Sequence, residues 1–221
     1  MTTTVQGADT AGVGDLPLVE VAPREPGGHI LALVMSGDGG WASMIKGFSD
    51  DLSARGIAVI GLKSASYLSR PRTPEETARD MERVLRTYLD RWGRDEIVLA
   101  GYSRGADMAP FIANRLPADL KARIRLVAMF GPEVNASFEF HRIDLIRSVS
   151  RPTDIPTLPE VEKLKGVRML CIYGQEEEKS LCPAAPEGLM RVVARPGGHR
   201  VHDARLLSGL VLEELGLLPP P

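Results

Sequence analysis

With 221 residues, 43% of them hydrophobic and 25% charged, the chain has the balance of a globular protein built on one core, not that of a disordered or fibrous one. Its 27 Lys and Arg against 29 Asp and Glu leave a formal net charge of -2, so it lacks the basic field of a polynucleotide binder, and nucleic acid is excluded as a partner. The longest apolar runs, Ile30 to Met35 and Ile57 to Leu62, are too short to span a bilayer, which excludes an integral membrane protein.

Residues 1–15 are small, polar and Gly-rich, and read as a flexible tail ahead of one domain over 16–218. The tail has neither the basic nor the apolar region of a secretory leader, so the expectation is a cytoplasmic protein or one from which a leader or upstream domain has been removed. Leu18 to Val21 and His29 to Met35 read as strands separated by the turn Pro26-Gly27-Gly28. An amphipathic helix from Ser43 to Arg55 stops at Gly56, and the apolar run Ile57 to Leu62 reads as the next strand. Thr73-Pro74-Glu75-Glu76 is a capping box, with Met81, Val84, Leu85, Tyr88, Leu89 and Trp92 at helical spacing behind it. A strand (Ile97 to Ala100), a sharp turn (Gly101 to Gly105), a helix (Ala106 to Leu116) and a strand (Ile124 to Phe130) follow. The aperiodic segment 131–166 reads as a small excursion over the strand tips. Val167 to Tyr173 and Met190 to Ala194 complete the strands, and Asp203 caps a last helix, Ala204 to Leu215. Apolar strands alternating with amphipathic helices predict an α/β fold: a mostly parallel sheet covered on both faces, with little or no lid domain.

Gly101-Tyr102-Ser103-Arg104-Gly105 matches G-x-S-x-G, the nucleophile elbow of the α/β-hydrolase fold, and falls between a strand and a helix as that turn requires. A serine hydroxyl needs an imidazole to take its proton and an acid to orient the imidazole, supplied in this fold in the order serine, acid, histidine. His199, in the loop Pro196-Gly197-Gly198-His199 after the last strand, fits the base; His202 is its close rival, whereas His29 and His141 lie elsewhere. Glu177, just past the strand ending at Tyr173, fits the acid, with Glu176 and Glu178 as alternatives. The oxyanion donors are expected from the backbone N–H of Arg104 and of Asp38 or Gly39, in the glycine-rich turn after Met35. Trp41, Tyr102 and Arg104 are the candidate substrate-binding side chains. No cofactor or metal is called for: Cys171 and Cys182 have no metal-type spacing, and their spacing permits a disulfide without requiring one, which leaves a bridge and two free thiols as alternatives.

Beyond these motifs, the strings LPLVEV, SGDGGW, RTPEETARDMERVLRTYLDRWG, GYSRGAD, NRLP, FEFH, PTLPEVEKL, CIYGQEEEKSLCP and PGGH resemble the VirJ/AcvB family of bacterial virulence-associated proteins. The resemblance implies an α/β-hydrolase fold, hydrolysis of aminoacyl esters of phosphatidylglycerol in the periplasm, peripheral contact with lipid, and a triad on Ser103, Glu177 and His199. The chain departs from the family pattern at Arg104, where Phe is expected, at Lys179, at Arg200 and Val201, and around Tyr67-Leu68-Ser69. Arg104 has two readings: a guanidinium in the cleft that favours anionic substrates, or one turned outward to nearby carboxylates. The leading functional expectation is a serine hydrolase acting on a small-molecule or phospholipid-headgroup ester. The alternatives are a broad carboxylesterase or thioesterase, and a non-catalytic secretion-associated binding protein on the same fold.

Overall fold

The computed structural model describes residues 12–145 and 151–218. In chain order the elements are β1 (Leu18–Val21), β2 (Ile30–Met35), α1 (Ser43–Ala54), β3 (Ala58–Leu62), α2 (Ser64–Tyr67), α3 (Pro74–Arg91), β4 (Glu96–Tyr102), α4 (Arg104–Arg115), α5 (Ala118–Lys121), β5 (Ile124–Phe130), β6 (Asn135–Ala136), β7 (Ile155–Pro156), α6 (Leu158–Glu162), β8 (Met169–Gly174), β9 (Arg191–Arg195) and α7 (Ala204–Glu214). Seven strands form one sheet in the order β1-β3-β2-β4-β5-β8-β9. All neighbours are parallel except β1, which runs antiparallel to β3.

The central strands are apolar on both faces because helices cover both. Leu31, Leu33, Met35 and Leu99 pack with Met81, Leu85, Phe111 and Ile112 of α3 and α4. The alternate residues Ala32, Val34, Val98 and Ala100 pack with Phe48 and Leu52 of α1 and Leu207 and Val211 of α7. Period-two alternation of the strands thus feeds two cores. The capping box closes as expected: Thr73 Oγ1 accepts from Glu76 N–H at 3.1 Å, and Glu76 Oε2 accepts from Thr73 N–H at 2.9 Å. Asp203 caps α7 through Leu206 N–H at 3.1 Å.

Two details differ from the sequence reading. The expected loose tail joins the fold before residue 15, because Val13 is 1% exposed in the core and Asp15 pairs with Arg83 at 2.6 Å; residues 1–11 of that tail lie outside the described residues. The excursion after β5 has short structure of its own, the β6–β7 pair and α6. It is tied to α4 by Glu160, whose carboxylate takes Asn114, Arg115 and Lys163.

Sheet order decides where a site can form. The chain runs from β2 outward to β3, then returns to the other side of β2 for β4. The loops leaving the carboxyl ends of β2 and β4 therefore open a crevice between them.

Candidate active site

Ser103 lies between the last residue of β4 and the first of α4, with φ 53° and ψ -125°. Among the described residues it is the one non-glycine at positive φ, a conformation that costs on the order of 1–3 kcal/mol and persists only where its surroundings impose it. They do so through glycine: a Cβ on Gly101 would stand 2.2 Å from Gly105 O, and one on Gly105 would stand 2.3 Å from Met35 O. Strand, helix and the end of β2 approach closely there, and the serine projects from the turn between them.

The loops after the two strands at the far edge bring the other groups. His199, after β9, has Nε2 at 2.8 Å from Ser103 Oγ, placed to accept the hydroxyl proton, while its Nδ1 lies 2.8 Å from Glu177 Oε2, placed to donate to it. Glu177, after β8, is largely enclosed, and its Oε1 accepts from Gly174 N–H at 2.5 Å. Burial alone would raise its pKa, but the bonds from His199 and the Gly174 N–H hold it below the ordinary carboxylate value. Tyr102 stacks its ring on His199 with centroids 5.6 Å apart and donates its hydroxyl to His199 O at 3.2 Å. Arg195 donates to Pro196 O and Gly198 O, pinning the histidine loop.

A model of the family described as bacterial virulence protein (VirJ) matches residues 29–216. The chain belongs to the VirJ family. A comparison with curated proteins gives no match. Among solved structures, it is similar to TT1662 from Thermus thermophilus (20% identity, TM-score 0.62, covering 93% of this chain and 94% of that one). It is also similar to Est1E from Butyrivibrio proteoclasticus (15%, 0.59, 90% and 93%) and to an alpha-beta serine hydrolase homologue from Coxiella burnetii (15%, 0.63, 90% and 90%). These likenesses establish the α/β-hydrolase fold for this VirJ-family chain.

Ser103, His199, Tyr102, Asp38 and Gly39 line a cavity of about 550 Å³, with Met44 and Ile45 of α1 on one wall and Val134, Asn135 and Ser137 of the excursion on another. The turn after β2 lies against the elbow: a Cβ on Gly37 would meet Ser103 Cβ at 3.2 Å. Arg104 opens α4, where N–H groups and the helix dipole favour negative charge. The rivals fall away from the line: His202 stays at the cavity wall, and Glu176 and Glu178 are exposed.

Two of the expected substrate-contact side chains are held by neighbours that the sequence does not show. Trp41 does not line this cavity; its indole lies on Gly61 of β3, where even a Cβ would come within 2.2 Å of the ring. A flat apolar ring gains more by covering a strand than by facing an open cleft. Arg104 lines the cavity, and its guanidinium pairs with a nearby carboxylate, as the second reading expected, but inside the fold and not outward. It is buried, donating to Asp38 through Nε and Nη2 at 2.5 and 2.9 Å and to Glu139 O through Nη1 at 2.9 Å.

Two residues of the site were not read from sequence. Gly131, directly after β5 at φ 60°, leaves the space into which the His199 ring fits; a Cβ there would stand 3.0 Å from His199 Cε1 and 3.4 Å from Glu177 Oε2. A glycine ending an apolar strand was its only signal. Asp107, one helical turn after Ser103, lines the cavity and is 5% exposed, with Oδ1 accepting from Glu133 N–H at 2.7 Å. The spacing of four from Ser103 puts it on the same helix face.

Proposed function

We propose that this protein is a serine hydrolase that cleaves an ester through an acyl-enzyme. The observation that carries this is the unbroken line Glu177–His199–Ser103, with both contacts at 2.8 Å, ending on a strained serine at the cavity. In this reading Ser103 Oγ attacks the ester carbonyl carbon while its proton passes to His199 Nε2, and Glu177 holds the imidazole in the required tautomer. The charge that develops on the carbonyl oxygen is met by the backbone N–H of Arg104 and of Asp38 or Gly39. Collapse expels the alcohol, which takes the proton from His199. A water molecule then gives a proton to His199 as it attacks the acyl-serine, releasing the acid and restoring the enzyme.

For the substrate we propose an aminoacyl ester of phosphatidylglycerol. Family membership supports it, and a cavity of about 550 Å³ is ample for an aminoacyl-glycerol head group. The test labels wild type and Ser103→Ala with a fluorophosphonate and follows lysine release from vesicles containing lysyl-phosphatidylglycerol. Wild type should label and release lysine, and Ser103→Ala should lose several orders of magnitude in turnover while keeping its fold. Undiminished turnover in Ser103→Ala would end the serine-hydrolase reading. Cleavage of p-nitrophenyl esters without lysine release would leave a broad carboxylesterase.

A further inference from the structure

We infer that the Arg104 side chain is a positioning residue for the oxyanion loop, acting through Asp38; the inference rests on the serine-ester reading above. The turn after β2 is firmly held at its base, where Ser36 N–H donates to Leu62 O at 3.0 Å and Ser36 Oγ accepts from Ser64 N–H at 3.1 Å. Its tip is different. Gly37, Gly39 and Gly40 have no side chains, and a Cβ placed on Gly39 or Gly40 would meet nothing within 4 Å. The tip is bonded within itself, by Ser36 Oγ to Gly37 O at 3.2 Å, Gly40 N–H to Gly37 O at 3.0 Å and Ala42 N–H to Gly40 O at 2.9 Å, and the side chain that ties it across to the elbow helix is the carboxylate of Asp38.

Arg104 takes that carboxylate in a fork of two parallel bonds, with its side chain 10% and that of Asp38 19% exposed. The planar guanidinium fixes direction as well as distance. Its remaining edge donates to Glu139 O at 2.9 Å and Ser137 O at 3.4 Å, so one side chain joins the elbow helix, the oxyanion loop and the excursion. Because Arg104 directly follows Ser103, the same residue that offers one oxyanion donor through its backbone sets the other loop through its side chain. The two halves of the hole are thereby held in register to the few tenths of an ångström that stabilising an oxyanion demands. The pair also neutralises Asp38, whose bare carboxylate beside the hole would oppose the charge that forms there.

The experiment measures fluorophosphonate labelling rates, since the phosphoryl oxygen of the adduct occupies the oxyanion position, with kcat and KM on p-nitrophenyl acetate per titrated active site. Arg104→Met should lower the labelling rate and kcat by about 100-fold, the scale of losing one oxyanion donor, with KM changed less than about twofold and the melting temperature recorded alongside. Arg104→Lys, which keeps charge without the fork, should recover only part of the loss. Asp38→Asn added to Arg104→Met should recover part of it by removing the orphaned charge. Wild-type kcat per active site in Arg104→Met, or a loss confined to KM, would overturn the inference while leaving the serine-ester reading intact. Should Arg104→Met not fold, Asp38→Asn alone reads the same quantities, and an unchanged kcat there overturns the inference. Absence of labelling in wild type would instead bring down the serine-ester reading, and this inference with it.

Discussion

Asp107 is a carboxyl enclosed one helical turn from Ser103, and its pKa is raised well above the ordinary value, chiefly by burial, which outweighs the bond from Glu133 N–H. A raised carboxyl means that the folded protein keeps a proton that the unfolded chain has already lost, so stability falls as pH rises from the unfolded value of 3.8 towards the folded one. Asp107→Asn keeps an oxygen for Glu133 N–H and removes the ionisation. Its urea midpoint should equal or exceed that of wild type at neutral pH, with the gap closing in acid. A variant less stable at neutral pH would mean that the ionised form is held by Arg104. Glu177 has the opposite sign: its pKa is lowered, so its contribution is present above the ordinary carboxylate range and disappears as pH falls through the folded value. At this scale the meeting of Ser103, His199 and Glu177 was legible because a motif and a chain order specify it. The directions of Trp41 and Arg104 were not, since they depend on Gly61 and Asp38, which meet them only in the fold.

Among the elements, the loop ends set the chemistry. Gly131 combines φ 60° with a ring and a carboxylate at the place where a side chain would go. Gly131→Ala should lower kcat by roughly 10- to 100-fold, because a displacement near 1 Å of a catalytic group has that scale. Gly216 supplies the control: at φ 72° with nothing within 4 Å of a Cβ, Gly216→Ala carries the backbone strain without crowding the site. Both variants should melt earlier and only Gly131→Ala should lose kcat; equal kcat in the two would remove Gly131 from the site. The long elements were readable because α3 has five turns of period and a cap, and the strands have continuous apolar runs. The four- and five-residue helices α2, α5 and α6 were not, since one turn carries no period.

At the scale of the whole molecule, the question left open by the cysteine spacing is answered: Cys171 in β8 is bonded to Cys182, closing the loop that carries Glu177. Such bridges persist in oxidising compartments. A loop of this length should contribute about 3 kcal/mol by constraining the unfolded chain. The double variant Cys171→Ala with Cys182→Ala should therefore unfold at a correspondingly lower denaturant concentration. Both cysteines are buried, at 0% and 1% exposure, so the count is made on protein unfolded without reductant: it should yield no titratable thiol, and two thiols there would contradict the bridge.

The sheet order has a kinetic corollary. β4, which leads into Ser103, is hydrogen-bonded on both sides, whereas β9, which leads into His199, is an edge strand with β8 as its only neighbour among the described residues. Opening free energies rise from edges to centres, so fraying of β9 would withdraw the imidazole and leave the serine in place, a reversible off-state inside an otherwise native fold. Amide hydrogens of β9 should exchange faster than those of β4, and turnover should fade at denaturant concentrations that leave the global circular dichroism unchanged. If turnover and dichroism disappear together, β9 belongs to the same cooperative unit as the centre, and the Glu177–His199–Ser103 line breaks only when the molecule does.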